Sequence, residues 1–120
     1  MARTSVTIKT RDGQAPASVF TPSTQDGPWP AVLVYMDGRG IRPALFELGE
    51  RLAGAGYYVL LPDLFYRAGP YEAPGPRVFS EDPDARKRWF TNYISTASPS
   101  NVRSDTEAFL AFLAEQPEVR

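Results

Sequence analysis

The sequence predicts an α/β fold in which a β-hairpin is followed by a parallel βαβ unit with flanking helices. Three observations carry this. Residues 31–36 (Ala-Val-Leu-Val-Tyr-Met) and 57–61 (Tyr-Tyr-Val-Leu-Leu) are apolar without alternation, as strands covered by helices on both faces are. Between them, Leu45, Leu48 and Leu52 recur at helical spacing behind Pro43, which suits a first helical residue. Ahead of them, Val6 and Ile8 alternate with Thr7 and Lys9, the signature of a half-buried strand.

Taken in order, 5–10 and 17–21 are strands joined by turn chemistry at Arg11-Asp12-Gly13-Gln14, which makes the opening a hairpin. Residues 22–30 form a polar, proline-flanked surface loop whose Trp29 packs over the sheet edge. The helix after Pro43 runs over about 43–54 and stops at Gly54 and Gly56. Strand, helix, strand over 31–61 is a βαβ unit, whose crossover is expected to be right-handed. Residues 64–82, with Pro70, Pro74 and Pro76, show no period and read as one long irregular segment. A short helix is predicted over 84–94. A stronger one follows over 99–115, capped by Ser98 with Pro99 as its first residue. Its buried stripe is Val102, Thr106, Phe109 and Leu113, widened by Leu110 and Phe112, with Asp105 and Glu107 complementing the positive N-terminal end. The 120 residues amount to one incomplete domain: a buried helix after a βαβ unit normally leads to another parallel strand, whose expected start is at Glu118-Val119-Arg120.

Composition removes several functions. A net charge of −1 gives no electrostatic reason for a nucleic-acid or anionic-membrane partner. No apolar run approaches the roughly 18 residues of a membrane span, and the first residues lack an apolar signal core, so a cytoplasmic location is expected. Without cysteine there is neither a disulfide framework nor a thiolate metal site, and no cofactor or metal is expected. Without histidine, the chain lacks the usual general base of a nucleophilic hydrolase.

The candidate chemistry sits directly after the first apolar strand, at Asp37-Gly38-Arg39-Gly40-Ile41-Arg42-Pro43. The carboxyl end of a parallel strand is where ligands bind in open α/β sheets. A dinucleotide fingerprint would need glycine at Pro43, and a P-loop would need Gly-Lys-Ser/Thr; neither is present. Two readings remain for the loop. It is a tight turn that needs glycine for backbone reasons, or its backbone N–H groups face a developing oxyanion.

From Pro30 to about Gln116, the chain resembles the N-terminal half of the dienelactone hydrolase family, within the α/β-hydrolase superfamily. The resemblance is carried by residues 35–43 (Tyr-Met-Asp-Gly-Arg-Gly-Ile-Arg-Pro) and 52–65 (Leu-Ala-Gly-Ala-Gly-Tyr-Tyr-Val-Leu-Leu-Pro-Asp-Leu-Phe). It implies an esterase or lactonase acting on a small ester or lactone by nucleophilic acyl transfer. It also implies that Gly38 supplies an oxyanion N–H and that Asp37, in place of the family's glutamate, contacts the nucleophile. The Cys or Ser nucleophile, acid and histidine would lie on a segment outside these residues, since no serine here has the Gly-x-Ser-x-Gly surroundings. Arg39, Arg42, Arg67, Arg86 and Arg88 are candidates for a substrate carboxylate; the alternative for each is a solvated charge or an ion pair, as with Asp82, Asp84 or Glu47. Asp63 reads as a structural acid bonding backbone N–H groups. In the superfamily's strand order, strand 31–36 has an open edge, to be covered by a second polypeptide carrying the C-terminal half or by a second copy. A lone chain is expected to be unstable, to aggregate or to borrow a strand. The alternative function is a non-catalytic α/β binding or interaction module that has lost the triad, with a flavodoxin-like nucleotide binder as a third reading.

Overall fold

A computed structural model describes all residues, 1–120. The hairpin is β1 (Ala2–Thr10) and β2 (Gly13–Thr21), followed by β3 (Ala31–Leu33), α1 (Pro43–Gly54) and β4 (Tyr58–Pro62). Three helices complete the chain: α2 (Pro76–Glu81), α3 (Pro83–Asn92) and α4 (Pro99–Ala114). The four strands form one sheet in the order β1-β2-β4-β3. β2 runs antiparallel to both β1 and β4, while β3 and β4 are parallel, with α1 between them in sequence.

The hairpin strands are longer than the alternation predicts, because β2 accommodates Pro16. The Pro16 carbonyl accepts a bond from the Asp63 N–H, just past the end of β4. The missing proline N–H therefore faces a side where the ladder has stopped, the position at which a strand tolerates proline. Regular β3 is shorter than 31–36, although the Val34 N–H still reaches the Leu60 carbonyl at 2.9 Å. It is also less covered than its apolar run suggests: Ala31, Val32 and Leu33 are half-buried, whereas all five residues of β4 are buried. The difference lies in position, since β4 has a neighbour on each side and β3 has one.

Paired residues share a face of a sheet, so Val32, Val59 and Phe20 point one way, and Leu33, Leu60 and Val19 the other. The first face carries α1. A Cβ on Gly49 would lie 2.6 Å from the Phe20 ring, so glycine is what lets this helix approach so closely. The second face carries α4, where the Tyr35 hydroxyl hydrogen-bonds the Thr106 hydroxyl. The α4 cap is as expected, the Ser98 hydroxyl accepting the Asn101 N–H at 3.2 Å.

The buried stripe of α4 differs from its sequence reading. It is Asp105, Phe109 and Leu113, while Leu110 is 54% exposed. Asp105 is fully buried and accepts both Arg67 guanidinium nitrogens at 2.8 Å and the Tyr66 hydroxyl at 2.8 Å. Arg67 also reaches Asp12 in the hairpin turn, at 2.7 Å. One ion-pair network thus ties the hairpin, the segment after β4 and α4 together. Removing one partner of a buried pair strands the other charge, at a cost of about 3–5 kcal/mol. Asp105→Ala is therefore expected to lower unfolding stability by about that much in urea titrations, with no change in the sheet's circular-dichroism signature below the transition.

Candidate active site

The loop after β3 closes as a turn in which the Gly40 N–H donates to the Asp37 carbonyl at 3.1 Å. Asp37 and Gly40 occupy the first and last positions, where aspartate and glycine are favoured. The Asp37 carboxylate also accepts the Arg39 N–H at 3.0 Å, a local bond characteristic of aspartate in turns. Gly40 has two reasons to be glycine. Its φ is +84°, and a Cβ there would lie 2.7 Å from the Tyr71 ring.

Arg42 grips Asp37 bidentately, at 2.6 and 2.7 Å, and bonds the Gly40 carbonyl at 3.1 Å. The Arg42 hydrogen bond holds the Asp37 carboxyl below its ordinary value, and the same bond raises the Arg42 guanidinium. Three further contacts fasten the loop from the irregular segment and α3. The Ile41 N–H donates to the Tyr71 hydroxyl at 2.9 Å, Arg39 bonds the Pro74 carbonyl at 3.1 Å, and the Trp89 indole N–H donates to the Gly38 carbonyl at 2.7 Å. Tyr71 in turn donates to Asp63 at 2.8 Å, and Asp63 accepts the Phe65 N–H at 2.9 Å. Burial pushes both the Asp63 carboxyl and the Tyr71 phenol up. Asp63 is thus a turn-forming acid that also orients Tyr71.

The backbone N–H groups of Arg39, Gly40 and Ile41 each have an acceptor, within the loop or on Tyr71; the Gly38 N–H has none. Gly38 is exposed. The Asp37–Gly38 peptide is planar and trans, so tying its carbonyl to Gly40 turns its N–H outward, away from the turn. Among the loop residues Gly38 to Ile41, Gly38 thus presents the free backbone donor.

Two clefts flank the loop. One, of about 450 Å³, is lined by Gln14, Pro16, Ile41, Asp63, Tyr66 and Tyr71 among others. The other, of about 470 Å³, is bounded by Arg39, Arg42, Phe46, Tyr71 and Pro74. Beside it, the Arg39 Nε is buried without an acceptor. No group of three or more His, Cys, Asp or Glu side chains is placed to hold a metal.

The structure brings Asp37, Gly38, Arg39 and Arg42 into one loop, as their spacing implies. It takes Arg67 elsewhere, into the Asp105 and Asp12 pairs. Burial works to lower the Arg67 pKa, but the bonds to Asp105 and Asp12 outweigh it and hold the guanidinium above its ordinary value. Arg86 bonds the Phe79 carbonyl at 3.2 Å, and Arg88 lies on the exposed face of α3. Sequence reasoning missed Trp89 and Tyr71 as holders of the loop, since they lie 51 and 30 residues from the groups they bind, beyond any spacing rule.

A family model, the dienelactone hydrolase family, matches residues 15–120. The chain belongs to this family. A Methylorubrum extorquens protein named "Putative carboxymethylenebutenolidase" is 36% identical over 109 residues, covering 89% of this chain and 33% of that protein. A Yersinia pestis protein of the same name is 32% identical over 63 residues, covering 52% of this chain and 24% of its own length. A dienelactone hydrolase structure from Klebsiella pneumoniae superposes with a TM-score of 0.74 at 24% identity, covering 96% of this chain and 44% of that one. That likeness supports an α/β-hydrolase-type fold. The chain spans a third or less of these curated relatives and under half of the solved structure.

The Arg42 grip makes a pH prediction. The Asp37 pKa is depressed in the fold, so its stabilising contribution is present above the ordinary value of 3.8 and is lost as pH falls through the lower folded value. Carboxyl-carbon NMR titration should show Asp37 below 3.8, and Arg42→Met should return it toward that value.

Proposed function

We propose that this dienelactone hydrolase family chain is the N-terminal part of an esterase or lactonase that cleaves a small ester or lactone by nucleophilic acyl transfer. The observation that carries the reading is the Gly38 N–H, free of any internal acceptor and aimed out of a turn at the carboxyl end of β3. Backbone donors preorganised in this way stabilise charge that develops only in the transition state.

In this mechanism histidine takes the proton of a Cys or Ser nucleophile as the nucleophile adds to the substrate carbonyl. The carbonyl π pair moves to oxygen, forming a tetrahedral oxyanion that accepts the Gly38 N–H. Collapse breaks the C–O bond to the leaving alkoxide, which takes a proton from a histidinium. Water, deprotonated by the resulting histidine, then releases the acyl group. The nucleophile, acid and histidine would lie outside these 120 residues, which contain neither cysteine nor histidine and no serine in a Gly-x-Ser-x-Gly setting.

The open edge of β3 favours a further parallel strand there. Pro30, Val32 and Val34 direct their backbone groups at β4, in line with the Tyr58 N–H to Pro30 and Val34 N–H to Leu60 bonds at 2.9 Å. Ala31, Leu33 and Tyr35 therefore direct theirs outward, where the sheet has no further strand. At the near end of this edge, Trp29 and Val119 form a parallel bridge, with Trp29 N–H to Glu118 at 2.8 Å and Arg120 N–H to Trp29 at 3.0 Å. A parallel strand entering in this register would meet the free groups of Ala31, Leu33 and Tyr35. It would also bring its carboxyl end, where an elbow nucleophile would sit, beside Gly38.

Among the arginines, Arg39 is the best placed for a substrate carboxylate, because it borders the open cleft and its one side-chain bond is to the Pro74 carbonyl, with no carboxylate partner. Asp37 would reach the nucleophile only through the carboxylate capacity that Arg42 leaves free. Ester turnover should appear when the triad-bearing half is present and be absent from residues 1–120 alone; turnover by these residues in isolation overturns the division of labour. Proline suits the second position of such a turn, so Gly38→Pro deletes the donor while keeping the loop. It is expected to lower kcat of the completed enzyme by about 10²–10³-fold, measured on a small aryl ester.

A further inference from the structure

We infer that Trp89 is a positioning residue for the oxyanion donor: its indole N–H, reaching from α3, locks the turn that aims the Gly38 N–H. This rests on the hydrolase reading above and adds a residue to its machinery.

Gly38 links two planar peptide units. The first, Asp37–Gly38, is held at its carbonyl by the Gly40 N–H. The second, Gly38–Arg39, is held at its N–H by the Asp37 carboxylate, 3.0 Å away, and at its carbonyl by Trp89, 2.7 Å away. Between them lies a residue with no Cβ, whose torsions are the least restricted in any chain. Without the Trp89 bond, the second unit is pinned at one end only, and rotation about Gly38 swings the donor. With it, both units are fixed, and the one unclaimed N–H holds a single direction.

Trp89 is suited to this because it is itself immobile. It is 9% exposed, stacked on Tyr93 with centroids 4.1 Å apart, and met edge-on by Phe65 at 5.8 Å and Tyr71 at 5.5 Å. An indole has one donor and no acceptor, so the Gly38 bond commits its whole polar capacity. Tyr71, in contact with that ring, holds the Ile41 N–H on the far side of the turn. The long irregular segment and α3 thus act on the site loop together, since the aromatic box they build carries a rigid donor to it.

Trp89→Phe keeps an aromatic ring in the box and deletes the donor. Site-specific replacement by β-(3-benzothienyl)alanine does the same with the tryptophan shape retained, should the phenylalanine variant not fold. In the enzyme completed by its triad-bearing half, either change is expected to lower kcat about tenfold with KM within about twofold, since only transition-state stabilisation is lost. In the 120-residue chain, exchange of the hydrogen-bonded Arg39 and Gly40 amides should accelerate, and exchange across Tyr58–Pro62 should stay unchanged. Acceleration spread equally over β4, or a KM rise with unchanged kcat, would overturn the proposal and leave Trp89 a packing residue. If the unsubstituted assembly shows no ester turnover, the hydrolase reading falls, and exchange alone decides whether Trp89 sets the turn: acceleration confined to the turn upholds it, and none removes it.

Discussion

Each residue of a β-strand sends its backbone N–H and C=O to one side, and in β3 only alternate residues find a partner. The even positions, Pro30, Val32 and Val34, are committed to β4, while Ala31, Leu33 and Tyr35 face the end of the sheet. Much else follows from this asymmetry. It shortens the regular strand to three residues and leaves its side chains half-buried, although its composition is that of a central strand. It also leaves the carboxyl end of β3, with its glycine turn, accessible from the outside. Unpaired N–H and C=O groups along such an edge form a template on which another strand can pair. β3 thus ends the sheet with its outer groups unpaired, apart from the parallel Trp29–Val119 bridge at its near end.

Two polar devices hold the rest of the chain around that strand, and both draw on the segment after β4. The Arg67, Asp105, Tyr66 and Asp12 network fixes α4 and the hairpin turn. The Tyr71, Trp89 and Arg39 contacts fix the site loop. A stretch with little regular structure is thereby made rigid through hydrogen bonds and stacked rings, which substitute for the ladder bonds it lacks. The two devices are electrostatically distinct. The first rests on buried ion pairs between distant elements, whereas the second combines neutral aromatic groups with the Arg39 guanidinium, beside the local Arg42–Asp37 pair.

Where local pattern decides, the sequence is a good guide. The leucine spacing and Pro43 place α1, Ser98-Pro99 places the start of α4, and the acid-glycine run places a turn after β3. Where a partner distant in sequence decides, it is not. Asp105 looks like a helix-dipole acid because its first turns are all that is visible locally; its partners are 38 and 39 residues away. Trp89 lies 51 residues from the carbonyl it binds, and no spacing rule connects them. Pro16 hides the first residues of β2, since proline's conflict with a ladder depends on which side its nitrogen faces. Pro76 reads as part of an irregular segment, yet it opens α2 at the one helical position that suits it. Of the five arginines proposed for substrate, sequence proximity groups Arg39 and Arg42 with the loop but gives no means of seeing that Arg67 is already claimed by Asp105.

Residue-resolved amide exchange reads the alternating pattern of β3 directly. On assembly with the polypeptide that restores ester turnover, the Ala31, Leu33 and Tyr35 amides should become strongly protected, while Val32 and Val34, already committed to β4, should change little. An active assembly in which Ala31, Leu33 and Tyr35 still exchange as freely as in the separate chain would contradict an edge built to receive a further strand.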